Sequence, residues 1–191
     1  MQTAASSRHL VVLTGLPQSG KTSLLAGAVS ALKTRRMVIA GIIAHGLWQN
    51  GRRLGFDLED LSNGRIFPLA RRSAATQPTP DLPTPFTFNP EALAAGFQAL
   101  SPERCRQAGA VIVDEIGPLE LAGCGWGPCL PTLLALQHPL LVWVVRTHLV
   151  EPVCRRWALV PRVVITANQT GAKGRLIETI ADPNHDDNRY F

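Results

Sequence analysis

Short runs of β-branched and other apolar residues recur along this chain, and the stretches between them carry their apolar positions at helical spacing. LVVLT at residues 10–14 is the first run. Residues 23–33 (SLLAGAVSALK) then place Leu24, Leu25, Ala28 and Leu32 on one side, the three-and-four spacing of an amphipathic helix. MVIAGIIA (37–44), AVIV (110–113), LLVWVV (140–145) and RVVIT (162–166) read as further strands. They are mostly apolar, as strands covered on both faces are. Residues 89–100, 126–137, 149–158 and 173–180 are expected to be helical. Asn89-Pro90-Glu91 opens the first of these with a capping residue, a proline at the first helical position and an early carboxylate. Strands alternating with helices predict an α/β fold with a parallel sheet between helical layers.

Residues 45–72 break that rhythm. Asn50-Gly51 sits between two short runs, a two-residue hairpin signal because both residues tolerate positive φ. Asn63-Gly64 repeats it before the run at 66–69. A small antiparallel sheet inserted after the second strand is expected here, with residues 86–88 as a further short strand. Residues 76–85 are Pro-rich and read as a loop. The expected organisation is one domain over residues 1–181 and a polar, loosely held tail over 182–191. His185-Asp186-Asp187 in that tail reads as solvated surface rather than a metal site.

Composition narrows the class. The chain has 191 residues, 46% of them hydrophobic, enough for one substantial core. No apolar run approaches the ~20 residues of a membrane-spanning helix, and the first residues, MQTAASSRH, lack the pattern of a signal peptide. Cys105, Cys124, Cys129 and Cys154 show no C-x-x-C spacing and read as free thiols of a reducing compartment. A cytoplasmic protein is expected. The net charge of +5 is carried mainly by arginine, in the doublets Arg35-Arg36, Arg52-Arg53, Arg71-Arg72 and Arg155-Arg156. No aromatic-interleaved basic stretch accompanies them, so they read as solvated surface and not as a nucleic-acid footprint.

The candidate chemistry begins at residues 15–22, GLPQSGKT, which fit G-x-x-x-x-G-K-[ST]. Gly15 and Gly20 permit a tight turn, and the intervening Leu16, Pro17, Gln18 and Ser19 carry the backbone around one phosphate. Lys21 is expected at the β- and γ-phosphates, Thr22 on Mg²⁺, and Ser23 in the first turn of the helix, whose dipole favours the same anion. The strand before the loop and the helix after it are the context this chemistry requires. The expected ligand is therefore a nucleoside triphosphate such as ATP or GTP, with Mg²⁺ as cofactor.

Asp114 and Glu115 at the end of the 110–113 run supply the second half. Asp114 is expected to support the metal; Glu115, one residue on and on the other face of the strand, to deprotonate water. A water-activating carboxylate in that place suits hydrolysis better than transfer to an acceptor. Arg146, after the fourth strand, is the first candidate for an added cation, with Arg155 and Arg156 next. Thr166-Ala167-Asn168-Gln169 follows the fifth strand. It lacks the aspartate of N-K-x-D, so strict guanine selectivity is not expected, and Asn168 is retained as a possible site residue. Two other classes stay open: a small-molecule or nucleotide kinase, and a nucleotide-switched module acting on a protein partner. The oligomeric state is left undetermined.

Three segments together, GLPQSGKT, GIIAHGLWQNGRRLGFDL (41–58) and VIVDEIGPLEL (111–121), resemble the P-loop nucleoside-triphosphatase family known from thermophiles and, in animals, as cancer-related nucleoside-triphosphatase. The resemblance implies a three-layer P-loop sandwich with a mostly parallel, RecA-like sheet and an inserted antiparallel hairpin region. It also implies hydrolysis of several nucleoside triphosphates, with Lys21 and Thr22 on phosphate and Mg²⁺, Asp114 supporting the metal and Glu115 as base. Arg53 and Asp57 fall in the matching G-x-R-x-G-F-D segment, either approaching the nucleotide or tying the hairpin to the core. Glu120 matches a family glutamate and is expected to shape its loop. Gln18 stands where the family usually has glycine, and Pro118 where it has lysine. Trp126, in the added turn after Cys124, is expected in the core.

Overall fold

The computed structural model describes residues 5–73 and 85–182. The Pro-rich stretch before Pro85 and the His185-Asp186-Asp187 tail lie outside the described residues. The strands are β1 (Ala5–Gly15), β2 (Ile39–Gln49), β3 (Arg52–Asp60), β4 (Arg65–Arg72), β5 (Phe86–Phe88), β6 (Ala110–Ile116), β7 (Leu140–Arg146) and β8 (Leu159–Thr166). The helices are α1 (Lys21–Thr34), α2 (Pro90–Ala99), α3 (Pro102–Cys105), α4 (Pro118–Leu121), α5 (Leu130–Leu134), α6 (Val150–Arg156) and α7 (Ala172–Ala181). No helix among the described residues is long and apolar enough to cross a membrane.

The strands form a single sheet in the order β5-β4-β3-β2-β6-β7-β1-β8. β2, β6, β7, β1 and β8 run parallel, and β3, β4 and β5 add to the β2 edge antiparallel. The expected antiparallel insertion after the second strand is present and extends the main sheet. β2 makes this possible by its length. Ile39 to Ile42 pair with β6, while Ile42 to Gln49 pair with β3. At Gly41, φ is +100° and an added Cβ would lie 2.0 Å from the Ile112 carbonyl oxygen, so only glycine fits.

Alternation along each central strand feeds two cores. Val11, Leu13, Ile112 and Val142 face α1 and α7, packing on Leu25, Leu32, Leu176 and Ile180. Leu10, Val12, Val111 and Trp143 face the other way, against α2, α3, α5 and α6. This is the three-layer, mostly parallel α/β architecture, with the antiparallel strands inserted between β2 and α2.

Local chemistry explains the boundaries. Asn89 caps α2 by accepting from the Glu91 amide at 2.9 Å. Asn50 and Gly51 both take positive φ (49° and 72°), as a type I′ turn requires. The second turn differs from expectation: only Gly64 has positive φ (73°), and Asp60 builds the connection through its side chain. Its carboxylate accepts from the Ser62 amide at 3.0 Å and the Asn63 side chain at 2.8 Å. The helix expected over 126–137 is a 3-10 turn at Gly127–Cys129 followed by the five residues of α5. Pro128 and Pro131 sit near the start of each piece, where a missing N–H costs least, and prevent one continuous helix.

Candidate active site

Gly15 ends β1 and the chain then wraps back, with the Ser19 amide donating to the Leu16 carbonyl at 3.2 Å. Gly20 (φ 80°) precedes the first turn of α1. Gln18, in the position where resemblance led us to expect glycine, adopts φ 62°. It takes the left-handed conformation of the loop at a cost of about 1–2 kcal/mol that glycine avoids.

Lys21 folds back over this loop. Its Nζ donates to the carbonyls of Gly15 at 3.1 Å and Leu16 at 2.7 Å, and the residue is only 7% exposed. Burial lowers its pKa from the ordinary lysine value, with Glu115 and Asp114 pulling the other way. The cation is thus held ready inside the loop by weak carbonyl partners.

Asp114 reaches the same place from β6. Its carboxylate is bonded by the Thr22 side chain and the Ala44 backbone amide. Burial first, and then Glu115, push its pKa up to about 7. Its Oδ2, like the hydroxyl oxygen of Ser19 in the loop, is buried with no hydrogen-bond partner. Buried polar atoms without partners are rare and costly. Two of them beside one phosphate-type loop mark a site shaped for a ligand.

Glu115 does not point to the opposite face, as plain strand alternation led us to expect. The β6–β7 register shifts between Asp114 and Ile116, a bulge that returns Glu115 to the side of the loop. Lys21, Thr22, Asp114 and Glu115 therefore line one cavity of about 1280 Å³. Arg146, at the end of β7, pairs with Glu115 through Nε–Oε1 at 2.6 Å. Of the three arginines considered as cations, it alone lines the cavity. Arg155 pairs with Glu151 on the surface and Arg156 lies over the Trp157 ring, because α6 carries both away from the loop.

The hairpin residues separate. Arg53 enters the cavity, its guanidinium 4.3 Å from the Trp48 ring centre and 4.7 Å from that of Phe56. Burial, followed by Arg146, lowers its pKa, while Glu115 and Asp114 oppose that shift. Asp57 instead pairs with Arg71 at 2.6 Å and does not line the cavity. Asn168 is exposed and likewise outside it. Glu120, in α4, is buried at the edge of the cavity, where its Oε2 accepts from the Gly117 amide at 2.8 Å and its Oε1 from the Trp126 amide at 3.1 Å. It ties the loop after β6 together, as expected. Trp126 packs in the core, with its ring 5.5 Å from that of Phe97.

Sequence reading missed Arg72, Phe86, Phe88 and Leu93, which all line the cavity. A signal was present: neighbours on a strand face opposite ways, so the Arg71-Arg72 doublet must divide between the two faces. Arg71 goes to Asp57, and Arg72 lies 5.1 Å from the Phe86 ring centre inside the cavity.

Fold and loop together define a P-loop nucleotide-triphosphatase-like protein. A family model described as NTPase matches residues 10–181, and the chain belongs to that family. The nucleoside-triphosphatase THEP1 of Methanopyrus kandleri is 34% identical over 113 residues, 59% of this chain and 60% of that protein. The same-named protein of Thermofilum pendens is 30% identical over 135 residues, covering 70% and 71% of the two chains. The solution structure of a human cancer-related nucleoside triphosphatase superposes with a TM-score of 0.66 at 22% identity, over 91% of this chain and 96% of that one.

Proposed function

We propose that this NTPase-family protein hydrolyses ATP, GTP and other nucleoside triphosphates to the diphosphate and phosphate, using Mg²⁺ in the cytosol. The observation that carries the reading is the convergence of Lys21, Thr22, Asp114 and Glu115 on one cavity with two unpartnered buried oxygens.

The donor set fits Mg²⁺, a hard cation that prefers oxygen and is held by few protein ligands. The Thr22 hydroxyl and the Asp114 carboxylate, already bonded to one another, would hold it. When bound, the ion neutralises charge on the phosphates and lowers the cost of ionising Asp114. The loop amides from Gln18 to Thr22 and the start of α1 bind the β-phosphate, with Gly15, Leu16, Pro17 and Ser23 completing the loop's frame. Lys21 exchanges its two carbonyl partners for phosphate oxygens, which are stronger acceptors. Glu115 takes the proton from the attacking water, a contribution of roughly 10²–10⁴ in rate. Arg146 holds the Glu115 carboxylate in position and would add positive charge toward the γ-phosphoryl group under attack. Arg53 adds a further cation to the same cavity.

The test is phosphate release from ATP, GTP, CTP and UTP with Mg²⁺, comparing wild type with Glu115→Gln. Release from several nucleotides, reduced at least 10²-fold in the variant with binding retained, is the expected result. Unchanged turnover in Glu115→Gln would remove Glu115 as base.

A further inference from the structure

β7 lies between the strand that leads into the phosphate-type loop and the strand that ends in the carboxylate pair. Its last residue is Arg146. In the parallel pairing of β1 with β7, Arg146 stands beside Gly15, the first residue of the loop. On the other side of β7, Val145 pairs with Ile116, the residue after Glu115. The Thr14 hydroxyl donates to that of Thr147 at 3.4 Å and joins the ends of β1 and β7. Sheet register therefore fixes the backbone of Arg146 between the loop and the base. Its charge acts in the same small volume: the pKa of Lys21 is lowered first by burial and also by repulsion from Arg146.

A guanidinium carries five N–H donors in one plane. The Nε of Arg146 meets Glu115 Oε1 at 2.6 Å. Among the described residues its two Nη groups have no hydrogen-bond or ion-pair partner, although the side chain is half-buried and lines the cavity. One arm of the fork is committed to the base, and the other is left for a ligand. Phosphate oxygens are acceptors that this planar fork matches well. The loop holds the β-phosphate, and Glu115 addresses the water that attacks the γ-phosphorus. A group that touches Glu115 from beside Gly15 therefore stands against the γ-phosphoryl group.

We propose that Arg146 bridges the base and the γ-phosphoryl group, with Nε on Glu115 and Nη on a γ-oxygen, and so makes the site select triphosphates over diphosphates. A triphosphate fills both arms of the fork at once, which fixes Glu115 only when there is a bond to cleave. A diphosphate leaves the second arm empty. After cleavage the same contact departs with the free phosphate, and the diphosphate product is held less tightly than the substrate was. The inference rests on the nucleotide occupying the 15–22 loop with Glu115 as base, as proposed above, and assigns the residue that reads the γ-group there.

The test is calorimetric titration, in the presence of Mg²⁺, with ADP and with the ATP analogue whose β–γ bridge is an imido group. Phosphate release from ATP is measured beside it, for wild type, Arg146→Ala and Arg146→Lys. Wild type should bind the analogue roughly 10-fold or more tighter than ADP, the worth of one charge-assisted hydrogen bond. Arg146→Ala should weaken the analogue and leave ADP unchanged, bringing the two affinities together, and should slow turnover by roughly 10²-fold or more. Arg146→Lys should recover much of the analogue's affinity but not the turnover, since one ammonium cannot hold both partners as the fork does. That variant keeps the charge and reads the fork even where the alanine variant fails to fold. ADP weakened as much as the analogue would overturn the γ-contact and put the cation on the inner phosphates. Turnover lost with both affinities unchanged would leave Arg146 holding Glu115 alone and overturn the bridge. Wild-type turnover in Arg146→Lys would overturn the need for a fork. Calorimetry requires no cleavage, so a wild type that selects the analogue but releases no phosphate keeps the γ-contact and refutes the hydrolytic reading instead.

Discussion

Replacing Glu120 with glutamine should change how the stability of this protein depends on pH. Glu120 is 5% exposed, and burial pushes its carboxyl up to about 7 from an ordinary 4.5, despite the amides of Gly117 and Trp126 that bond it. A buried acid with a raised pKa costs nothing extra below its unfolded value, where it is neutral in both states. Stability then falls as pH rises from about 4.5 toward 7, because the unfolded chain gives up its proton before the folded one. At about 1.4 kcal/mol per pH unit, that interval is worth about 3 kcal/mol. Glutamine does not titrate. It keeps one oxygen acceptor but turns an N–H toward the other backbone donor, a pH-independent cost of about 1–3 kcal/mol. Urea unfolding of metal-free, nucleotide-free protein from pH 4 to 8 reads both terms. The stability of Glu120→Gln minus that of wild type should rise by about 3 kcal/mol across the range and be level at its ends. Taking the difference cancels groups common to both proteins, Asp114 included. Parallel curves at all pH values would refute the claim that this carboxylate is buried against its preference.

The remaining expectations are simpler. Lys21→Ala removes a charged donor that faces bound phosphate, and calorimetric titration with ATP and Mg²⁺ should show affinity at least about 30-fold weaker, the equivalent of ~2 kcal/mol. Unchanged affinity would take the loop out of the mechanism. Trp126→Ala should destabilise by about 3–5 kcal/mol in urea unfolding, since the ring is buried against Phe97 and Gly96. A loss below ~1 kcal/mol would place this ring outside the core.

The elements legible in the chain were those governed by local chemistry. The 10–14 run, the loop at 15–22 and the amphipathic residues after it became β1, the phosphate-type loop and α1, because spacing and glycine positions act within a few residues. Asn50-Gly51 likewise formed its turn without outside help. The 126–137 helix failed for a local reason as well: two prolines divide it, and apolar spacing alone could not show that. The antiparallel strands inserted after β2 were also legible, but not the pairing that attaches them. Their attachment depends on Ile42 pairing with Val113 on one side and Asp60 on the other, a contact between segments roughly 20 and 70 residues away.

The candidate site divides in the same way. Gly15 to Ser23, Asp114 and Glu115 could be named from the chain because a phosphate cradle and a strand-end carboxylate are contiguous motifs. Which arginine joins them was a tertiary question. Arg146 reaches Glu115 only because β7 lies between β1 and β6, and Arg155 and Arg156 are carried off by α6. Glu115 faces the loop through a bulge that strand periodicity does not encode. The rest of the cavity lining, with Arg53, Arg72, Phe86 and Leu93, draws its side chains from four elements. The sequence by itself determined the loop, the carboxylate pair and the alternation of strands and helices, since each is a matter of neighbours along the chain. Only the tertiary structure decided what surrounds them, because sheet order and strand register bring together residues that no local spacing relates.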